Sequence, residues 1–503
     1  MGCASRFLAI LLVLLCGASS VHAAQDVALE RGAAITDPAT LRALDSGKLR
    51  LDRMLFSERL ADSSLANSEL FAMPSMVPIR QAIDGEFDRY VARHKASLPN
   101  ETIGVGDGFD FQLFERALLH STDTRFVLAG IVNRMDRIYA AEASCGEIRL
   151  IYRLTRINKA ASNDASPRLP MTLNLVVKAK GEGTAITCSE IAARWLAVSP
   201  GGAVSASSGP LDLISAENID RIETNLQIAH APKSTVRDFR TDYLLKVFRY
   251  DRNARAFAEA PMENQIDRAR LLADDGLKRE FRAWLLDPVN LAAFDRGTVL
   301  IPEKFLASGA IAPTPVGFDP SDLEPEFGLV QGEGAVFSEA DVVAALRKAT
   351  EGGLKLQNIR SLAGFERRLN DVTCSGCHQT RGIGGFHFPG VDWMADKPSN
   401  TAVVPASPQF FGDQARRRDI LASLRDGKPP DYSRGFASRP QLRGSTELAG
   451  TNYYDGWGAH CYVQGKPAAN NDPSFRDWTC AEGLSCQAAG KTSRIGMCFV
   501  KSR

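Results

Sequence analysis

The chain has 503 residues, 44% of them hydrophobic, with 60 basic and 59 acidic side chains. That length and apolar share predict two to four domains with material to bury a cofactor, and they exclude a disordered chain. The balanced charge, with no long run of one sign, argues against nucleic acid or an anionic membrane surface as partner.

The chain opens with one positive charge at Arg6, an apolar run from Phe7 to Leu15, and small residues ending in Val21-His22-Ala23. This pattern predicts a secretory signal peptide over residues 1–23, cleaved before Ala24. Cys16 follows the large Leu15, where lipidation favours a small residue, so cleavage after Ala23 is the preferred reading over a lipid anchor. No later apolar stretch of about 20 residues is present, so no transmembrane segment is expected in the mature chain. Cleavage removes Arg6 and no acid, leaving 59 basic and 59 acidic residues. It also removes two of the ten cysteines, Cys3 and Cys16. Cys145, Cys188, Cys374, Cys377, Cys461, Cys480, Cys486 and Cys498 remain, an even set in an exported chain, which favours disulfides.

Residues 24–100 carry helical patterns such as Pro78 to Lys95 and predict an N-terminal helical region. From 101 to about 290 the reading is an α+β domain, with β-rich runs at Arg125 to Asn133, Ile148 to Leu154 and Met171 to Val177. Cys188 opens a short helix over Ser189 to Ala197 behind a capping-type Ser, and Cys145 and Cys188 are the natural disulfide pair. In the chain-entropy model a loop of that size contributes about 4 kcal/mol. His120 and His230 are isolated in the sequence and are read as structural, hydrogen-bonded histidines. Gly104 to Gly108 lacks the strand and helix of a nucleotide fingerprint and is read as a turn.

Residues 291–335, rich in Pro and Gly, read as a connecting region. Helical periodicity resumes at Ser338, which with Asp341 has the form of a capping box, and Val342, Val343, Leu346 and Ala349 share a broad face. A second helix is predicted from Leu362 to Val372, with Leu362, Phe365, Leu369 and Val372 inward and Glu366, Arg367 and Arg368 opposite. A third is predicted from Asp413 to Arg425, with Ile420, Leu421 and Leu424 inward. The stretch from Lys428 to Gly444 reads as a linker. Residues 445–503 form a Cys-rich tail, in which Cys461, Cys480, Cys486 and Cys498 are expected to make two disulfides whose pairing the sequence leaves open.

Between the second and third helices stands Cys374-Ser375-Gly376-Cys377-His378. Two thiols three positions apart reach the two vinyl-derived carbons of one porphyrin, and the adjacent imidazole supplies an axial nitrogen. The motif resembles the attachment site of c-type cytochromes, and residues 336–430 are similar in helix arrangement to a small class I cytochrome domain. The resemblance implies one covalent haem c per chain, with thioethers at Cys374 and Cys377 and His378 as proximal ligand. His387 and Met394 are the nearby candidates for the sixth iron position. Met394 stands closer to the motif than the distal Met of the common cytochrome pattern. Met497 and His460 would reach iron only if the tail folds over the haem. Two rivals stay open: a disulfide or redox dithiol at Cys374 and Cys377, and a zinc site using both thiolates with His378 and His387.

Asn133-Arg134-Met135-Asp136 and Cys145-Gly146-Glu147-Ile148-Arg149 form a second cluster, which resembles a pattern in uncharacterised secreted bacterial proteins and implies no activity. It predicts a buried ion-pair network or a site. There is no HExxH or GxSxG sequence.

The expected architecture is therefore α+β and multidomain, with a small helical cytochrome c-like segment and a disulfide-rich C-terminal module. The expected protein is a periplasmic or secreted monohaem c-type protein that transfers single electrons with a redox partner protein or small-molecule substrate. The alternatives are a haem-dependent peroxidase or oxygenase, and a nonenzymatic disulfide-rich interaction protein whose CxxCH holds zinc or a disulfide.

Overall fold

In the computed structural model the described residues are 32, 34–58, 63–104, 115–157, 168–198, 204, 209–233, 240–313, 335–373 and 414–434, with the strand residues 460–462, 484–488 and 495–500. Their centre is an antiparallel sheet. Its strands are β1 (Ala34–Ile35), β2 (Glu101–Ile103), β3 (Thr124–Arg134), β4 (Glu147–Arg156), β5 (Arg168–Lys178), β6 (Ile219–Pro232), β7 (Arg240–Asp251), β8 (Ala256–Ala260) and β9 (Gly309–Pro313). The main path runs β1-β3-β4-β5-β6-β7-β8, with β2 added on β6 and β9 on β7.

The period-2 alternation of the central strands explains the sheet. In β4, Ile148, Leu150, Tyr152 and Leu154 join one apolar core, while Glu147, Arg149 and Arg153 alternate with them and are buried as well. The apolar face is covered by helices α1 (Pro38–Asp45), α2 (Leu51–Leu55), α3 (Asn67–Leu70), α4 (Val77–Ser97), α5 (Ala117–His120) and α6 (Cys188–Leu196). Asp37 caps α1 by accepting from Thr40 N at 2.8 Å. The cap of α6 is Thr187, in a reciprocal box with Glu190, one residue ahead of the Cys and Ser that the sequence suggested. Because α1–α4 bury Leu41, Leu44, Ile79 and Ile83 in the same core as the sheet, residues 24–100 are not a separate helical region.

A second core is helical and rich in aromatic rings. It draws on α7 (Arg268–Ala273), α8 (Asp275–Leu285), α9 (Pro288–Arg296), α10 (Glu339–Glu351) and α11 (Leu362–Val372). Phe281 lies 5.0 Å from Phe305 and 5.6 Å from Phe337, and Phe365 lies 5.5 Å from Phe337 and 5.2 Å from Phe294, measured between ring centroids. Such offset and edge contacts suit the ring quadrupole. The expected boundaries near 290 and 335 therefore cut through one packed unit. Leu291, Phe294, Val299, Ile301 and Phe305, placed by the sequence in a connecting region, are core residues, and β9 in the same stretch completes the sheet. The Pro and Gly content there marks short turns between buried pieces.

Ser338 caps α10 by accepting from Asp341 N at 3.1 Å, and Val342, Leu346 and Ala349 are buried, whereas Val343 faces solvent. α12 (Gln414–Arg425) buries Leu421 in the sheet core. The tail contributes a small antiparallel sheet, β10 (His460–Tyr462), β11 (Leu484–Ala488) and β12 (Ile495–Val500), in the order β10-β12-β11. No helix among the described residues is long and apolar enough to cross a membrane.

Candidate functional site

The helix that leads into the CxxCH sequence, α11, is packed on all sides. Leu362, Phe365, Leu369 and Val372 form the predicted inward stripe in the aromatic core. Glu366, Arg367 and Arg368, opposite that stripe, are also buried, the two arginines at 0% exposure. Arg368 shows why: its Nη2 donates to Asp295 O at 2.7 Å and to Arg434 O at 2.8 Å. Asp295 in turn holds the turn before α11, its carboxylate accepting from the backbone of Gln357, Asn358 and Ile359 at 2.7–2.9 Å. The long guanidinium side chains serve as buried struts between elements.

The helix that follows the motif is anchored elsewhere. Arg416 of α12 and Arg434 both donate to Asp136 Oδ2, at 2.8 and 2.7 Å, while Arg134 Nε donates to Oδ1 at 2.9 Å. Burial opposes the charge on Asp136, but Arg134, Arg417, Arg416 and Arg434 outweigh it and hold the carboxyl well below its usual range. Thus α11 and α12 flank the CxxCH sequence while belonging to two different cores, so their described parts do not form a small domain with a core of their own.

The cluster around residues 133–149 is a buried ion-pair network. Glu147 accepts from Arg149 at 2.9 Å and from Arg221 at 2.7 Å, and lies 3.3 Å from Arg137. Glu223 accepts from both Arg149 and Arg221 at 2.9 Å, and Glu263 pairs with Arg137. Burial works against ionised Glu147, yet Arg221, Arg149, Arg137 and Arg134 hold its carboxyl well below its usual range. The two sequence motifs meet at Gly146, where a Cβ would stand 2.8 Å from Met135 Cα and φ is +86°. Only glycine fits there. Cys145 beside it forms a disulfide with Cys188, 43 positions further along the chain, with Cα atoms 5.3 Å apart.

Cys374, Cys377, His378, His387, Met394 and Cys480 lie outside the described residues. Cys461 lies on β10, and Cys486 on β11 stands opposite Cys498 on β12. Cys486 is disulfide-bonded.

A second constellation escaped the sequence reading. Tyr90 and His94 are one turn apart on α4, Glu101 is on β2, His230 on β6 and Asp242 on β7. His230 Nδ1 lies 2.6 Å from Glu101 Oε2, and His94 Nε2 lies 3.2 Å from the same oxygen. On the other side His230 Nε2 is 3.5 Å from Asp242 Oδ2, which accepts from Tyr90 OH at 2.7 Å. His94 is 8% and His230 5% exposed. Burial and the neighbouring His230 press the His94 pKa down, whereas for His230 the pull of Asp242 and Glu101 overcomes burial and raises it.

No family model, curated protein or solved structure matches this chain significantly.

The His/Glu constellation could not be found by spacing, because His230 is 129 residues from Glu101 and meets it only through the β2–β6 pairing. The one local signal was Tyr90 and His94 at i and i+4 on a helix face that also buries Ile79 and Ile83.

Proposed function

We propose that the protein is an exported carrier of one covalent haem c, attached through Cys374 and Cys377 with His378 as proximal ligand, and that it transfers single electrons. The observation that carries this reading is the Cys374-Ser375-Gly376-Cys377-His378 sequence itself, which follows directly on the buried end of α11, where Thr373 is 1% exposed. On either side of it α11 is fixed in the aromatic core and α12 is fixed through Arg416 to Asp136.

When bound, the haem would supply a one-electron Fe(III)/Fe(II) couple whose potential depends on axial ligands and burial. The chain's part is to restrict water around α11 and to hold the attachment segment between two anchored helices. The sheet body would meet a redox partner protein or small-molecule substrate. His387 and Met394 are the proposed candidates for the sixth iron position. Export to the periplasm or beyond is supported by the pattern of residues 1–23 and by the Cys145–Cys188 disulfide, a bond that persists in oxidising compartments.

Reduced and oxidised spectra of protein matured in a host competent for c-type haem test the role. A reversible low-spin spectrum with no peroxide turnover is expected. Peroxide-dependent turnover at an open iron would move the assignment to a haem peroxidase or oxygenase. Stoichiometric zinc without haem would move it to a nonenzymatic interaction protein.

A further inference from the structure

The cluster of His94, Glu101 and His230 serves no part of the proposed electron-transfer role. We propose that His94, Glu101 and His230 form a binding site for one divalent first-row transition metal ion, zinc being the best fit. Their ligand atoms all lie within 4.8 Å of one another. Two ligands each about 2.0–2.1 Å from a tetrahedral zinc stand roughly 3.3 Å apart. His94 Nε2 and Glu101 Oε2 are already at 3.2 Å. His230 Nδ1 and Glu101 Oε2, at 2.6 Å, are at hydrogen-bond distance. The ion replaces the proton between them, which leaves to solvent, and the pair opens by a little over half an ångström to roughly 3.3 Å.

Three features separate this cluster from a chance meeting of polar groups. His94 Nε2 is buried and makes no hydrogen bond despite its closeness to Glu101, an arrangement that folded proteins avoid. An outer shell is in place: with Nδ1 on the metal, His230 turns Nε2–H toward Asp242 Oδ2, and Tyr90 OH holds that same oxygen. A carboxylate behind a ligating imidazole sets its tautomer and strengthens it as a ligand. Charge also closes, since two carboxylates and two neutral imidazoles balance a dication.

The donors sit on rigid elements. Leu98 N donates to His94 O at 2.8 Å at the end of α4, and Ile103 pairs with His230 across β2 and β6. Glu101 and Asp242 keep 18% and 15% side-chain exposure, which provides a route of entry. Two imidazoles and one carboxylate leave a fourth position for water or an exogenous ligand.

The test is cobalt(II) and zinc(II) titration of the chelator-stripped, full mature chain, followed by absorption spectroscopy and metal analysis. The same titration is run on Cys374→Ala/Cys377→Ala protein. One cobalt per chain is expected, with visible d–d bands of nitrogen and oxygen donors and no thiolate charge-transfer band, unchanged in the cysteine variant. Glu101→Gln, nearly isosteric, and His94→Ala should each weaken binding by more than about 100-fold, and Asp242→Asn by about 10–100-fold. Folded wild-type protein that takes up no cobalt or zinc would overturn the proposal. So would binding that survives Glu101→Gln unchanged, or thiolate charge-transfer bands that vanish with Cys374 and Cys377, which would place the metal at the CxxCH sequence.

Discussion

Arg434 Nη2 donates to Asp136 Oδ2 at 2.7 Å, joining positions 298 residues apart in the chain. Through this contact and the parallel one from Arg416, α12 and the residues up to 434 join the sheet body, while α11, before the CxxCH sequence, stays with the aromatic core.

Asp136→Asn should test that anchorage. Asp136 is buried and is the carboxylate that Arg134, Arg416 and Arg434 share, so neutralising it leaves cations uncompensated in a dry site. Breaking a buried pair in this way costs about 3–5 kcal/mol. Equilibrium urea unfolding should show the midpoint fall by that equivalent, and an unchanged midpoint would deny Asp136 its role.

Acid should destabilise the fold through the same network. Asp136 and Glu147 have folded-state pKa values depressed below 3.8 and 4.5, so their contribution is fully present above those values and is lost as pH falls through the depressed ones. Wild-type stability should therefore drop steeply below about pH 4. Glu147→Gln should flatten that limb while lowering stability at neutral pH.

Asp45 acts in the opposite sense. Burial raises its carboxyl to about 6 against the donated Leu128 N–H and the pull of Arg125 and Arg50. A raised folded value means that the folded chain holds the proton more tightly, so stability is lost as pH rises from about 4 to about 6. The cost above that window is about 2–3 kcal/mol. Asp45→Asn keeps an acceptor for Leu128 N, and should leave neutral-pH stability equal to wild type or higher in a pH series of thermal melts.

The Cys145–Cys188 disulfide closes the turn that carries Gly146 onto α6. Replacing both cysteines with Ser should lower stability by about 4 kcal/mol in the chain-entropy model, read as a lower midpoint in urea unfolding than wild type shows under the same non-reducing conditions.

Phe365→Ala should cost about 3–5 kcal/mol, because the ring contacts both Phe294 and Phe337 at the centre of the helical core. A loss under about 1 kcal/mol would mean that α11 does not belong to that core.

The local elements were legible where one physical signal dominated. The alternation in β3, β4 and β5 and the stripe in α11 were read from apolar spacing, with ends within a few residues of those observed. The division into domains was less legible, because spacing reports which face is buried and not against what. Leu291, Phe294 and Phe305 lie between prolines and glycines and were assigned to a connection, yet they pack with Phe281 and Phe337. Arg367 and Arg368 were read as lying opposite the apolar stripe, but both are buried, and backbone carbonyls of Asp295 and Arg434 accept from Arg368 there. The Arg-rich cluster at 133–149 was recognised in outline, while its partners Arg221 and Glu223 arrive only with β6. His94, Glu101 and His230 were beyond reach for the same reason: the strand pairing that unites them has no local trace.

The central claim is covalent haem at Cys374 and Cys377, and the direct measurement is a haem stain on a denaturing gel of protein exported from a host that matures c-type haem. The account predicts a stained band at the mature mass, lost in both Cys374→Ala and Cys377→Ala. An unstained band from a host that matures a control cytochrome would contradict it, and would leave a disulfide or a zinc ion as the chemistry of the CxxCH sequence.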